Sequence, residues 1–322
     1  VTRSGDHIVA ERRARVLVGI LLAALALVAC GGSGDGGSGG AAPSTATSAP
    51  TEPGVGEPSE RILALGEERM LADLLALGVR PVASSANVVV DGGFVGIGDV
   101  DAEGIEALVS TEPNLEQLAT LRPDVVVANQ FVVDQLGREV LEGLGRLVVI
   151  ADDDHRAQLL ELGDAFDRRA EAEALLAELD DAIEAGREAF GDEPPVVSVA
   201  TVYPGPSVAA WVDGPVDIPD TLIELGVTIS PGPDDVDGAE GGRVFLSEEQ
   251  IGILDAPILV TMQSAFVEGE DAAVAAIAAD PLWAGLPAVT AGRVVNIDRL
   301  GYFGIPGRIR LVDDLVAAVA DR

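Results

Sequence analysis

The chain of 322 residues contains no lysine, one cysteine, two histidines and only 3% aromatic residues. Each shortage closes off a class of chemistry. A single cysteine permits no internal disulfide. His7 lies in an N-terminal segment set aside below, which leaves His155. One histidine and no free thiol cannot build a transition-metal cage or a pair of haem ligands. The same scarcity leaves little acid–base equipment, and no Ser–His–Asp, His–Cys or HExxH arrangement is present, so the chain reads as something other than an enzyme. All basic residues are arginine, which reflects base composition rather than function. With so few rings, the 48% hydrophobic content must fill its cores with Val, Leu, Ile and Ala. The length leaves room for two such cores.

A long hydrophobic run is also missing. The apolar stretch Val16–Ala29 follows Arg12, Arg13 and Arg15, and it is shorter than the roughly 20 residues a membrane-crossing helix needs. Residues 1–29 therefore read as a signal peptide. It ends Leu27-Val28-Ala29-Cys30, which resembles the bacterial lipobox, with Cys30 the lipidated residue. Residues 30–59 continue as a Gly/Ser/Pro/Thr-rich tether, with an r.m.s. reach of about 30 Å as a random coil. Glycine spacings there match GxGxxG (Gly34, Gly36, Gly39) and GxSxG (36–40). Neither follows a strand or opens a helix, so both are artefacts of composition. Formal charge is −34, and about −36 once the leader is removed. Such a surface repels nucleic acid and anionic headgroups, so membrane attachment falls to the lipid.

What is present is regular. Asp167–Phe190 is rich in Ala, Leu, Glu and Arg and places Leu176, Leu179, Ile183 and Phe190 on one face, predicting a helix about 35 Å long. Similar patterns lie on either side of it. Before it come a strand at 61–65, a helix at 68–77, a strand at 79–83, a helix at 114–121, a strand at 124–128, a helix at 133–144 and a strand at 146–150. After it come a strand at 196–202, a helix at 219–225, a helix–strand unit at 247–263, a strand at 293–297 and a closing helix at 309–320. Strand alternating with helix predicts mainly parallel sheets covered on both faces. Leu74-Leu75-Ala76-Leu77-Gly78-Val79 recurs as Leu222-Ile223-Glu224-Leu225-Gly226-Val227, and Asn114–Gln130 aligns without a gap on Ser247–Gln263. That order and register predict two related α/β lobes, 60–166 and 192–322, joined by a helix at 167–191.

The segments RILALGEERMLADLLALGVRPV, EPNLEQLATLRPDVVVA and AVTAGRVVNIDRLGYFG, with the Ala/Glu-rich connector and the lipobox, resemble the solute-binding lipoproteins of ABC importers. The nearest class is the one with a single helix between Rossmann-like lobes. The likeness covers residues 60–322. It implies a monomer on the extracytoplasmic face of a bacterial membrane, capturing a chelated-iron siderophore between its lobes and delivering it to a permease and its ATPase. No cofactor is implied. Cobalamin and haem carriers belong to the same family and form the alternative, with a surface enzyme of this architecture as a more distant one. In the family a glutamate on each lobe docks on the permease. The motif positions here are Pro113-Asn114-Leu115-Glu116 and Ser247-Glu248-Glu249-Gln250-Ile251, implying Glu116 and Glu249, the pair that the internal repeat superposes.

Ligands of open α/β sheets bind beyond the carboxyl ends of the strands. Candidates so placed in the first lobe are Glu67, Glu68, Arg69, the loop 84–93, Asn129, Gln130 and Phe131. In the second they are Tyr203, Trp211, Gln263, Phe266, Arg299, Tyr302 and Phe303. Rings offer flat apolar surface with a polar handle, and arginine offers a fork of donors to an anionic chelate. Arg69 and Arg299 are the only arginines in this set, which leaves hydroxamate and catecholate ligands undecided. The run Asp152-Asp153-Asp154-His155 reads as a metal site or, more simply, as a helix N-cap with acids at a helix start. The acidic loop 233–240 lacks calcium-loop spacing.

Overall fold

The strand Ile62–Leu65 (β1) is apolar at every position and buried along its whole length, as a strand covered on both faces must be. Around it the computed structural model builds a two-lobe α/β fold. Described residues are 60–320, apart from 99, 110–113, 151–153, 206 and 215–216. The signal peptide, Cys30, the tether, Pro113, Asp152 and Asp153 lie outside them.

In the first lobe, β1 leads through α1 (Glu67–Ala76) to β2 (Ala83–Ala86), a hairpin of β3 (Val89–Val90) and β4 (Gly93–Phe94), and β5 (Glu106–Val109). Then follow α2 (Leu115–Thr120), β6 (Val125–Asn129), α3 (Gln130–Leu136), α4 (Arg138–Glu142), β7 (Arg146–Ile150) and α5 (His155–Ala165). The sheet order is β5-β2-β1-β6-β7, with every pairing parallel. The long helix α6 (Arg169–Phe190) leads to β8 (Val196–Tyr203), β9 (Ser207–Trp211), α7 (Asp217–Glu224), β10 (Thr228–Ile229) and β11 (Arg243–Leu246). A 3-10 turn at Glu248–Ile253, β12 (Ile258–Gln263), α8 (Glu270–Ile277), α9 (Pro281–Ala284), α10 (Pro287–Thr290), β13 (Val294–Asp298) and α11 (Gly304–Val319) complete the lobe. Its sheet runs β11-β9-β8-β12-β13, with β10 beside the start of β8. Here β8, β10, β11, β12 and β13 run in one direction, and β9 alone runs against them, antiparallel to both of its neighbours β8 and β11.

The repeat corresponds to repeated geometry. Gly78 and Gly226 both take left-handed backbone, φ 73° and 80°. In each case the glycine N–H and the following valine N–H return to carbonyls of the last turn: Gly78 to Leu75 and Val79 to Leu74, Gly226 to Ile223 and Val227 to Leu222. This helix ending satisfies orphan carbonyls and tucks its hydrophobic residues inward. The strands β6 and β12 each begin eleven residues after Asn114 and Ser247. Each pairs with the first strand of its lobe, β1 or β8.

Several boundaries depart from expectation. The strand expected at 79–83 lies at Ala83–Ala86, because Pro81 has no N–H and the ladder opens only at Val82, which donates to Ile62 O at 2.8 Å. The helix expected at 133–144 breaks at Gly137, φ 89°. The helix expected over the start of 247–263 is a 3-10 turn. The closing helix begins at Gly304 rather than 309, since Pro306 in its first turn lacks only an N–H that would have no helical partner anyway.

One apolar core crosses the molecule. It joins Ile62, Met70, Leu74, Val125 and Val127 of the first lobe to Val197, Val199, Leu222, Val260 and Leu311 of the second, through Leu179 and Ile183 of α6. The outer faces carry separate clusters, around Leu63, Val126 and Leu141 and around Leu259, Ala273 and Trp283. Gly186 lets α6 approach its neighbours: a Cβ there would lie 2.5 Å from Leu225 and 3.0 Å from Val316.

Candidate ligand site at the carboxyl ends of the strands

The lobes meet at these ends. Phe303 N–H, beyond β13, donates to Gly96 O, beyond β4, at 3.1 Å. Asp73 on α1 is buried and accepts from Ile305 N–H of α11 at 2.7 Å. Gly304 is required beside it, because φ is +71° and a Cβ would stand 2.7 Å from the Asp73 carboxylate. Burial pushes the Asp73 carboxyl up to about 7, against the lowering effects of the Ile305 hydrogen bond and the Arg69 charge. Beside it, Arg69 holds Asp217 at the start of α7 through two bonds of 3.2 and 3.3 Å. His155 lies against Arg69 and 3.3 Å from Asp217. Burial alone would raise the Asp217 carboxyl; the His155 hydrogen bond and the charges of Arg69, His155 and Arg308 outweigh it and hold the group below the usual carboxylate range.

At the first lobe's end, Glu68 is fully buried and accepts from Asn87 N–H and Val88 N–H at 2.8 and 2.9 Å. It shapes the loop beyond β2 rather than presenting a surface. Glu67 adopts φ 65°, a strained conformation for a residue with a side chain. Its N–H donates to Ser85 Oγ at 3.0 Å. Glu67 and Ser85 line a pocket of about 230 Å³ with Leu65, Val109, Gln117 and Phe131. Phe131 is 70% exposed. Gln130 is exposed as well, with its amide nitrogen on Asp134 at 2.6 Å. Asn129 caps α3 by accepting from Val132 N–H.

The second lobe's end is built differently. Gln263, the repeat partner of Gln130, is buried; its amide oxygen accepts from Val202 N–H at 2.7 Å and its nitrogen donates to Val202 O at 3.1 Å. Trp211 is 3% exposed, with Nε1 donating to Thr201 Oγ1 at 2.9 Å. Gln263 and Trp211 are therefore walls of the frame. Arg299 is neutralised by buried Glu270, at 2.5 Å; Glu270 also accepts from Ser264 N–H at 2.9 Å. Tyr302 donates to Asp314 at 2.7 Å, and burial, with Asp314, raises its hydroxyl. Phe266 is exposed and Tyr203 half-buried.

Two residues absent from the sequence-based set reach Tyr203, the last residue of β8, from lower in the sheet. On β11, Arg243 and Phe245 share a face, with Val244 and Leu246 turned to the outer cluster. The Arg243 guanidinium lies 5.1 Å from the Trp211 ring centre, 5.5 Å from Phe245 and 5.7 Å from Tyr203. Its Nη1 donates to Tyr203 Oη at 3.2 Å. The two-residue alternation Arg-Val-Phe-Leu after Gly241-Gly242 is the one sequence signal that marks them.

Glu116 and Glu249 are exposed at the second position after Asn114 and Ser247. Asn114 Oδ1 accepts from Glu116 N–H at 3.0 Å, and Ser247 N–H donates to Gln250 Oε1 at 3.0 Å. Asp154 caps α5 by accepting from Ala157 N–H at 2.9 Å, the simpler of the two readings of its run. Among the described residues, no three His, Cys, Asp or Glu side chains converge to hold a metal, and no helix is long and apolar enough to cross a membrane. A larger hollow of about 790 Å³ lies away from the strand ends, along α6. In its wall Arg156 pairs with Asp180 at 2.7 Å and Arg187 donates to Glu224 O at 2.6 Å, and the rest of the lining is mainly acidic.

The family described as periplasmic binding protein matches residues 62–299. None of the curated proteins matches. Among solved structures, SirA of Staphylococcus aureus complexed with staphyloferrin B aligns with 21% identity and a TM-score of 0.66, over 80% of this chain and 92% of that one. FhuD of Vibrio cholerae bound to Fe3+-Desferal aligns with 22% identity and a TM-score of 0.62, over 82% and 98%. FeuA of Bacillus subtilis complexed with Ferri-Bacillibactin aligns with 16% identity and a TM-score of 0.65, over 82% and 94%.

Proposed function

Because this chain belongs to the periplasmic binding protein family, we propose that it is the solute-binding component of an ABC importer, capturing a ferric siderophore between its lobes and passing it to a membrane permease. The observation that carries the reading is the meeting of two like scaffolds at their carboxyl ends, with unlike side chains on each. Neighbours of the same fold were crystallised with staphyloferrin B, Fe3+-Desferal and Ferri-Bacillibactin. The protein works as a monomer, held on the extracytoplasmic side by lipidated Cys30 and its tether. Phe131, Tyr203 and Phe266 offer the ligand exposed or half-exposed ring surface. Glu116 and Glu249 dock on the permease, which works with its own ATPase. At their equivalent positions the two carboxylates are exposed and without an ion pair among the described residues, each at the start of a helical turn that favours negative charge.

The test couples binding to transport. The double variant Glu116→Arg/Glu249→Arg sets like charges against a cationic permease surface, lowering ferric-chelate uptake by cells on the order of 100-fold. Affinity of the purified variant for the same chelate stays unchanged. Normal uptake by the double variant removes the docking assignment, and a wild-type chain that binds no ferric chelate removes the importer reading altogether.

A further inference from the structure

We infer that the ligand is an anionic ferric chelate, and that Arg243, with Phe245 beside it, selects it over neutral ones. The inference rests on the importer reading and narrows its ligand class. Arg69 is neutralised by Asp217 and Arg299 by Glu270, while Arg310, which also lacks a carboxylate partner among the described residues, spends its donors on the Pro306, Gly96 and Gly301 carbonyls. Arg243 has no carboxylate partner among the described residues; its contacts are the Tyr203 hydroxyl and three ring faces. In a chain of net charge −34, a half-buried guanidinium without a counter-ion is an unfilled electrostatic position. Rings satisfy its flat faces and leave edge N–H groups for an acceptor. Carboxylate and catecholate oxygens accept such donors in charge-assisted bonds.

The geometry holds the cation in place. Arg243 pairs with Trp211 across the β9–β11 ladder, and Trp211 in turn pairs with Val199 of β8. The guanidinium therefore stands on a buried ring within a sheet, so little side-chain freedom is lost on binding. Phe245, two residues along the same face, is 54% exposed and packs 5.7 Å from Tyr203. It adds apolar surface next to the charge, suited to an aryl ring or the flat flank of a chelate. A trihydroxamate complex of ferric iron is neutral at its centre, so its oxygens accept from this cation without any net-charge attraction. Complexes held by catecholates or α-hydroxycarboxylates carry net negative charge and gain both the bond and the attraction.

Calorimetric titration of the intact protein with a ferric trihydroxamate, a ferric α-hydroxycarboxylate and a ferric tricatecholate tests this. The wild type is expected to bind at least one anionic complex about 10-fold or more tighter than the neutral one. Arg243→Gln, with its folding checked by its melting temperature, loses about 10- to 100-fold for that complex and under about 3-fold for the neutral one. Arg243→Lys keeps most of the charge preference, which a purely structural role for the arginine would not produce. Whichever anionic complex binds tighter identifies carboxylate or catecholate as the acceptor. Wild-type preference for the neutral complex, or an equal loss for both classes in Arg243→Gln, overturns the inference and leaves the importer reading standing. If Arg243→Gln does not fold, the wild-type preference alone decides. Failure of the wild type to bind any of the three sinks the importer reading, and this inference with it.

Discussion

The two lobes share their scaffold and differ at their rims. Both close a helix with the same glycine-centred turn, both place a glutamate two residues past a cap, and both start a central strand in the same register. At the strand ends the likeness stops. The first lobe offers a small pocket walled by Leu65, Val109 and Phe131. The second offers a cation set among rings. Gln130 and Gln263 carry the contrast within one matched position: the former is exposed and bound to Asp134, the latter buried and bound to backbone. Repetition in the chain marks what must be built twice, and ligand chemistry sits where repetition fails.

A second contrast lies between inner and outer faces. The outer clusters belong to single lobes, whereas the inner core is common to both. Leu311→Ala, at a fully buried position of α11 within that core, is expected to cost about 3–4 kcal/mol. Hydrogen exchange should show amides of β1 and β8 losing protection together. Loss confined to β8 would make the lobes independent and dissolve the comparison.

Asp73 sharpens it at the seam. Its carboxyl binds a proton more firmly in the folded chain than in the unfolded one, up to about 7 against an ordinary 3.8. Folding therefore takes up a proton between those values. Stability falls as pH rises through that window and levels off above it. Asp73→Asn keeps an acceptor for Ile305 N–H and removes the titration, flattening a decline on the order of 4 kcal/mol. Chemical denaturation at a series of pH values reads the slope, and an unchanged slope in the variant refutes the assignment.

Asp217→Asn should have the smallest effect, about 1 kcal/mol, since its pair with Arg69 is partly open to water. The sign is opposite to that of Asp73. The lowered carboxyl contributes above its unfolded value and is lost as pH falls, so the deficit of the variant relative to wild type shrinks in acid. Scattering profiles with and without ligand complement this series. With α6, the shared core and the α1–α11 contact all crossing between lobes, ligand binding should change the radius of gyration little.

How far the chain could be read in advance follows from these contrasts. The long helix, the parallel strands β1, β6, β7, β12 and β13, and both glycine turns were legible, because continuous apolar runs and turn chemistry are local signals. Strand β2 was misplaced, since Ala-Ser-Ser-Ala carries no strand signature and is held by its neighbours. Strands β5, β9 and β11 were not legible, being short and paired across long or irregular connections. At the candidate site, Arg69 and Arg299 were visible as arginines after strand ends. Their neutralisation was not, because Asp217 lies 148 residues from the first and Glu270 is 29 from the second. Arg243 was passed over for the converse reason: only tertiary contacts reveal which guanidinium lacks a counter-ion.

The bond from Ile305 N–H to Asp73 spans 232 residues of chain. On the ribosome this sets a schedule. Helix α1 is made well before α11, the last described element, yet the surface it covers belongs to α11. The first lobe can form its outer cluster early, but its inner face stays open until the far end of the second lobe has been synthesised. A chain of this topology completes its fold after synthesis rather than during it.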